Sequence, residues 1–418
     1  DVLGSRGLGD VYKRQRQING ISNNEKAVLL LEKRTFKELL VDMELRNLQN
    51  NIVGQEASRL FARAEINMGV EAFRDSLYSL LKRNTFLNIK FENMLDTLGE
   101  ISRTDIRSLL GEWEKTTPLP FYSLGEPTLT KITNKGGEEF FVLKMLISNN
   151  SDYDGIIHMD IRKDGWWYQP LEDPRAKTKI EMPAHTSKEF VSVWEDQIRN
   201  VEINTMVSGN LPNIISQDIN NVKQERNKIV KDSIYILPES SFDLPGEIIV
   251  DNEDSTLFIL SAPPIVGLLP KWLDEVEETP FKYSGISWWR PPLQWTATTN
   301  DRYYGKYIRS AFVIKSGDGS QTATWKVPVP EVGQYDLYYH VFKDDELRWN
   351  NNLQGEYHFK VKYGSEVEDA YVNLRKANEG WEQLGSYYFD SDTVRVVLTD
   401  ECKLRSVTAD AVKIVKRY

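Results

Sequence analysis

The sequence predicts a multidomain α + β protein in which an N-terminal α-helical array is followed by two β-sandwiches. Three observations carry this. The 418 residues exceed what one hydrophobic core normally organises. Apolar periodicity changes from helical to strand-like near Pro118. Seven of the eleven tryptophans and thirteen of the nineteen tyrosines lie beyond residue 270, so the last part has a texture of its own.

Residues Asp1 to Gln15 show neither period and are set aside. The stretch VLGSRGLGDVYKRQ resembles a translated sequencing-adapter read-through, which would make residues 1–15 a non-native segment; an ordinary flexible terminus is the alternative. Helices are expected over 16–115. Ser22-Asn23-Asn24-Glu25 has the form of a capping box ahead of Val28, Leu29, Leu31, Phe36 and Leu39. Apolar spacing then continues from about Gln55 to Leu81, from Thr85 to Leu98 and from Thr104 to Trp113. The charges Glu25, Lys26, Glu32, Lys33, Arg34, Lys37 and Glu38 alternate in sign and read as a solvated helix face.

Thr116-Thr117-Pro118-Leu119-Pro120 stops the helices. Strand-like pieces at Phe140–Ile147, Gly155–Ile161, Thr178–Met182, Glu189–Val193 and Val201–Val207 predict an immunoglobulin-like sandwich over 118–212. Residues 213–246, polar and charged around Asn220–Lys228, read as a linker. From 247 to 418, seven pieces between Thr322 and Val415 alternate with turns, which predicts a sandwich or jelly roll.

Composition narrows function. Lys and Arg total 52 against 62 Asp and Glu, a net charge of −10, so no positive field attracts phosphate backbones and nucleic acid is not an expected partner. Cys402 is the single cysteine, and His158, His185, His340 and His358 stand apart, without zinc spacing. The apolar stretch Leu257–Leu273 is broken by Pro263, Pro264 and Pro270, short of the roughly 20 residues of a transmembrane helix. None of H-E-x-x-H, G-x-S-x-G, a P-loop or G-x-G-x-x-G occurs, and no catalytic residue is assigned.

The C-terminal part resembles a known family. Trp325-Lys326-Val327-Pro328-Val329-Pro330-Glu331-Val332-Gly333-Gln334-Tyr335-Asp336-Leu337-Tyr338 is similar to the strand, proline turn and Gly-x-Tyr signature of the golvesin and xanthan-lyase carbohydrate-binding-like domain. Gly380-Trp381-Glu382-Gln383-Leu384-Gly385-Ser386-Tyr387-Tyr388-Phe389 and Ala409-Asp410-Ala411-Val412-Lys413 resemble its next two elements, in the family's order. The resemblance covers roughly 247–418. It implies a galactose-binding-like jelly-roll β-sandwich, usually a non-catalytic accessory module of secreted or surface-attached bacterial proteins. Core packing is the expected role of Trp325, Trp381 and Asp410, with Gly333, Tyr335, Gly380, Leu384 and Gly385 as structural motif positions; Asp410 would tie the last strand to a neighbouring loop.

Ligand contact is expected elsewhere. Flat aromatic rings stack on the apolar faces of sugars while neighbouring polar groups bind hydroxyls. Trp288, Trp289, Arg290 and Trp295, with Tyr303 and Tyr304, have that composition, and Trp349 before three asparagines is a second platform. The alternative is that these rings pack inward. Asp251, Glu253 and Asp254 would supply oxygens to a structural Ca2+, or else form a solvated turn.

Upstream, the helical array, Ser102–Trp113 and the proline-flanked entry into a sandwich resemble the region downstream of the catalytic domain in gluzincin-type zinc aminopeptidases, across about 20–212. That resemblance places the zinc site in a missing N-terminal domain. The leading expectation is a C-terminal fragment of a large extracytoplasmic bacterial protein whose last module binds polysaccharide or cell-envelope glycan. The alternatives are a scaffold remnant of a zinc aminopeptidase-like protein and a purely structural or adhesive module.

Overall fold

The computed structural model describes residues 21–103, 105–106, 115–163, 169–226, 230–238, 246–261, 281–286, 290–343 and 355–417. Asn23–Phe242 form one compact unit, and the chain from Asp243 onward belongs to another.

The first unit opens with α1 (Asn23–Lys33), α2 (Phe36–Val41), α3 (Gln49–Met68), α4 (Val70–Arg83) and α5 (Phe91–Ser102). The periodic stretch from Gln55 to Leu81 is not one helix. Gly69 adopts φ +83°, a conformation glycine takes without a Cβ penalty, and it ends α3 and starts α4. Thr35 and Glu38 form a reciprocal capping box on α2, with Glu38 N donating to Thr35 Oγ1 at 3.2 Å and Thr35 N to Glu38 Oε2 at 2.9 Å. Glu25 corrects the solvated-face expectation: it is buried, and its carboxylate accepts from the Asn213 backbone N–H at 3.0 Å. A buried carboxylate needs such a donor. The helix expected at Thr104–Trp113 lies almost wholly outside the described residues.

The middle sandwich comprises β1 (Tyr122–Leu124), β2 (Thr128–Thr133), β3 (Glu139–Asn149), β4 (Gly155–Lys163), β5 (Gln169–Pro170), β6 (Lys177–Met182), β7 (Thr186–Trp194), β8 (Ile198–Asn204), β9 (Ile214–Asp218), β10 (Val222–Arg226) and β11 (Ser233–Pro238). One sheet has the order β10-β2-β3-β7-β11, with β1 also on β3; the other has the order β5-β4-β8-β9, with β6 also on β4. Leu143, Met145 and Ile147 from the first meet Ile157, Met159, Ile161, Val201 and Ile203 from the second. Alternate residues of each strand face this core, as the two-residue period requires.

The linker expected at 213–246 is not one. Ile214–Asp218 pairs with β8, Val222–Arg226 runs parallel to β2, and Ser233–Pro238 pairs with β7. All three are edge strands. Edge strands keep a solvated side, so the polar residues of β9 and β10 and the polar flanks of β11 look like linker when read along the chain alone.

The C-terminal unit contains β12 (Glu247–Val250), β13 (Phe258–Leu260), β14 (Thr296–Thr299), β15 (Ser310–Lys315), β16 (Thr322–Pro328), β17 (Gly333–Val341), β18 (Glu356–Tyr363), β19 (Glu366–Asn373), β20 (Gly380–Phe389), β21 (Thr393–Thr399), β22 (Ser406–Ala409) and β23 (Val412–Lys416). They form sheets of order β12-β23-β17-β20, β13-β16-β21-β18-β19 and β14-β15-β22. This is a jelly-roll β-sandwich. Its core holds Trp325, Tyr335, Leu337, Tyr339, Phe359 and Phe389. The single closing strand expected at Ala409–Val415 divides at Asp410-Ala411, with β22 on β15 and β23 between β12 and β17.

Candidate functional site

The site grows from a local irregularity. Along β17, Tyr335, Leu337, Tyr339 and Val341 point into the core, leaving Asp336, Tyr338 and His340 on the outer face. Its partner β20 keeps register from Tyr335↔Tyr387 to Leu337↔Gly385, then shifts, so that Tyr338 opposes Gln383 and His340 opposes Trp381. Leu384 is the extra residue of this β-bulge. Tyr387 and Phe389 therefore face inward, while Trp381, also odd-numbered, faces outward. The core role expected for Trp381 is corrected for that reason.

Around Trp381 the outer face becomes an aromatic cluster. The His340 ring lies 5.2 Å from it at 78°, and the Tyr304 ring 5.1 Å from it at 58°. Lys413 Nζ sits 4.9 Å from the Trp381 ring and 5.3 Å from that of Tyr338, within cation–π range, and 3.0 Å from Glu247 Oε1. Arg302 Nε donates to Glu379 Oε1 at 2.6 Å, its guanidinium 4.6 Å above the Phe342 ring.

A buried acid holds this cluster from beneath. Asp410 is 0% exposed; its Oδ2 lies 2.8 Å from His340 Nδ1 in a hydrogen bond, and both its oxygens accept from the Tyr304 backbone N–H at 3.2 Å. The Asp410 backbone carbonyl accepts from Trp325 Nε1 at 3.2 Å. Burial pushes the Asp410 carboxyl above its ordinary range, against the opposing pull of His340 and the Tyr304 N–H. With no exposed surface, this carboxyl orients the rings above it.

The ligand candidates separate. Tyr304 is half-buried at the cluster, whereas Tyr303 is 7% exposed and packs on Phe342 at 4.6 Å, which corrects its expected surface role. Tyr303 follows a turn in which its own N–H donates to the Asn300 carbonyl at 3.2 Å. Trp295 packs partly buried against the sandwich core, its buried Nε1 without a hydrogen-bond partner among the described residues. Arg290 is exposed. Trp288, Trp289 and Trp349 lie outside the described residues.

Trp325 is fully buried, and Tyr335 is 1% exposed, its hydroxyl donating to the Glu331 carbonyl at 2.8 Å. Gly333 and Gly380 stand at the starts of β17 and β20, and Gly385 faces the core opposite Leu337. Composition alone does not single out His340, Tyr338, Lys413 or Glu379. The usable signal for two of them was the alternation that leaves Tyr338 and His340 outward.

The Ca2+ candidates are otherwise engaged. Glu253 Oε1 accepts from the Tyr283 hydroxyl at 3.1 Å and from the Ser310 hydroxyl, and its other oxygen from Lys282 Nζ. Asp254 Oδ2 accepts from Asp251 N at 2.9 Å, and Asp251 Oδ1 from Asn252 N at 2.7 Å. Among the described residues no three His, Cys, Asp or Glu side chains converge as a metal site. Asp251 is pushed up to about 9, first by burial and next by the charge of Asp410.

Residues 291–416 match the model of the Golvesin C-terminal domain. No curated protein matches the chain. Among solved structures, it is similar to a β-glucuronidase of Bacteroides uniformis at 11% identity, covering 76% of this chain and 32% of that one, with a TM-score of 0.21. It is also similar to TmCBM61 in complex with β-1,4-galactotriose, at 15% identity over 29% of this chain and 77% of that one, TM-score 0.17. A third likeness is to Legionella pneumophila aminopeptidase A in complex with aspartic acid, at 17% identity over 34% of this chain and 15% of that one, TM-score 0.17. The chain spans about a third of the length of the glucuronidase. TM-scores this low do not establish a shared fold.

Proposed function

We propose that the C-terminal unit is a non-catalytic module that binds polysaccharide or cell-envelope glycan, and that it serves a larger extracytoplasmic bacterial protein. The observation that carries this reading is the meeting of Tyr304, from the aromatic segment, with Trp381, from the motif segment, at 5.1 Å on the outer face of the sandwich. Two partly exposed rings beside Arg302, Glu379 and Lys413 combine an apolar stacking surface with donors and acceptors for hydroxyls. The Golvesin match over the same residues supports it. The buried Asp410–His340 pair acts in this reading as a support beneath the rings. Trp288, Trp289, Arg290 and Trp349 remain proposed contributors of further rings and charge.

The test is affinity electrophoresis of the whole chain through gels containing soluble polysaccharides, alongside a glycan array. At least one polysaccharide should retard the wild type, and Tyr304→Ala and Trp381→Ala should each weaken retardation about tenfold or more. Mobility unchanged by every polysaccharide, or both variants retarded like wild type, would sink the reading.

A further inference from the structure

The first unit holds a second feature, unrelated to the glycan surface. Between α3 and the sandwich lies a cavity of about 30 Å³ lined in part by Arg59, Arg63, Thr117, Gly155 and Met206. Arg59 and Arg63 are four residues apart on α3, which puts both guanidinium groups on one helix face.

Their charges are not equally answered. Arg59 Nη2 lies 2.6 Å from Glu56 Oε2, and Glu56, 5% exposed, also accepts from Thr117 Oγ1 at 3.3 Å. Arg63 forms no ion pair or hydrogen bond with any described residue. Asp154, exposed, shares the lining, but its Oδ1 accepts from Ala184 N at 2.8 Å and it pairs with neither arginine; Glu181, nearby, is exposed too. Burial and the neighbouring Arg59 both pull Arg63 below its ordinary value, against the opposing charges of Glu181, Asp154 and Glu56.

A second observation points the same way. Tyr122 is fully buried and its hydroxyl has no hydrogen-bond partner among the described residues. That hydroxyl lies directly behind one wall residue: a Cβ built on Gly155 would stand 1.8 Å from Tyr122 Oη. An orphaned buried donor is costly and normally finds a partner. Met206, also in the wall, holds φ +52°, a strained conformation for a side chain of its kind and one that recurs at ligand clamps.

We propose that this cavity binds a carboxylate-sized oxyanion, gripped by the Arg63 guanidinium and flanked by Arg59, with the Tyr122 hydroxyl behind the Gly155 wall. The planar fork of arginine matches two carboxylate oxygens, and the volume suits a group of about two water molecules' size.

Thermal unfolding of the whole chain in sodium acetate and in sodium chloride at equal ionic strength and pH 7 tests it. Acetate should raise the melting temperature by about 3 °C over chloride once it exceeds its Kd about tenfold. Arg63→Gln should abolish that difference, and Arg74→Gln, an exposed arginine on α4, should leave it intact. If Arg63→Gln does not fold, Arg63→Lys carries the test, because an ammonium cannot hold both oxygens and the shift should shrink. Equal melting temperatures in the two salts would mean that the cavity holds water only, and an undiminished shift in Arg63→Gln or Arg63→Lys would place acetate elsewhere; either overturns the proposal.

Discussion

His340 Nδ1 and Asp410 Oδ2 lie 2.8 Å apart, although 70 residues separate them in the chain. Because Asp410 also accepts from the Tyr304 backbone N–H, one buried carboxyl joins β17, the break before β23 and the loop bearing Tyr304. Asp410→Ala removes the links to both His340 and Tyr304 and leaves buried donors unanswered, so it should cost about 3 kcal/mol. The midpoint of urea unfolding should fall accordingly. A midpoint unchanged from wild type would show that the carboxyl is not holding the loop.

Trp325 and Trp381 should differ sharply on truncation. Trp325 fills the sandwich core and donates to the Asp410 carbonyl, so Trp325→Ala should cost about 3–5 kcal/mol. Trp381 packs on the outer face, and Trp381→Ala should cost under about 2 kcal/mol. Denaturant titrations of both variants check this, and equal losses would contradict the outward placement made by the bulge.

Stability should fall as pH rises through the neutral range. Asp251 is raised from its ordinary 3.8 to about 9, so the fold favours its protonated form while the unfolded chain ionises above about pH 4. Its contribution is full below about pH 4 and is lost progressively up to about pH 9. Asp251→Asn keeps a neutral side chain of similar shape, and its melting temperature should exceed wild type at pH 8 and converge with it near pH 4. Parallel pH profiles for the two proteins would refute the assignment.

Gly305 sets the loop beneath Tyr304. Its φ of +153° and the close approach of Ile308, whose carbonyl oxygen would stand 1.9 Å from an added Cβ, leave no room for a side chain. Gly305→Ala should destabilise the C-terminal unit by about 2 kcal/mol or more and weaken any polysaccharide retardation. Unaltered melting with unaltered retardation would show that the loop yields without consequence.

Much of this architecture could be read from one-dimensional pattern. The alternation Tyr335, Leu337, Tyr339 and Val341 against Asp336, Tyr338 and His340 marks β17 and its inward face, and the aromatic-rich motifs after Trp325 mark the jelly roll. Such signals are local, since a two-residue period is a property of the strand itself. Ser233–Pro238 was harder: Ile234, Tyr235, Ile236 and Leu237 stay exposed on an edge strand, and its polar flanks made the whole stretch look like linker.

What the sequence by itself determined is the succession of a helical unit and two β-sandwiches, the inward rings of the last one and the chemical types available for a ligand surface. Only the tertiary structure decided that Trp381 turns outward, that Tyr304 rather than Tyr303 joins it, and that Asp410 answers His340. The physical reason is that a bulge changes the parity of every residue on one side of it, and that a buried carboxyl takes its donors from whichever distant strands the sheet order brings beside it.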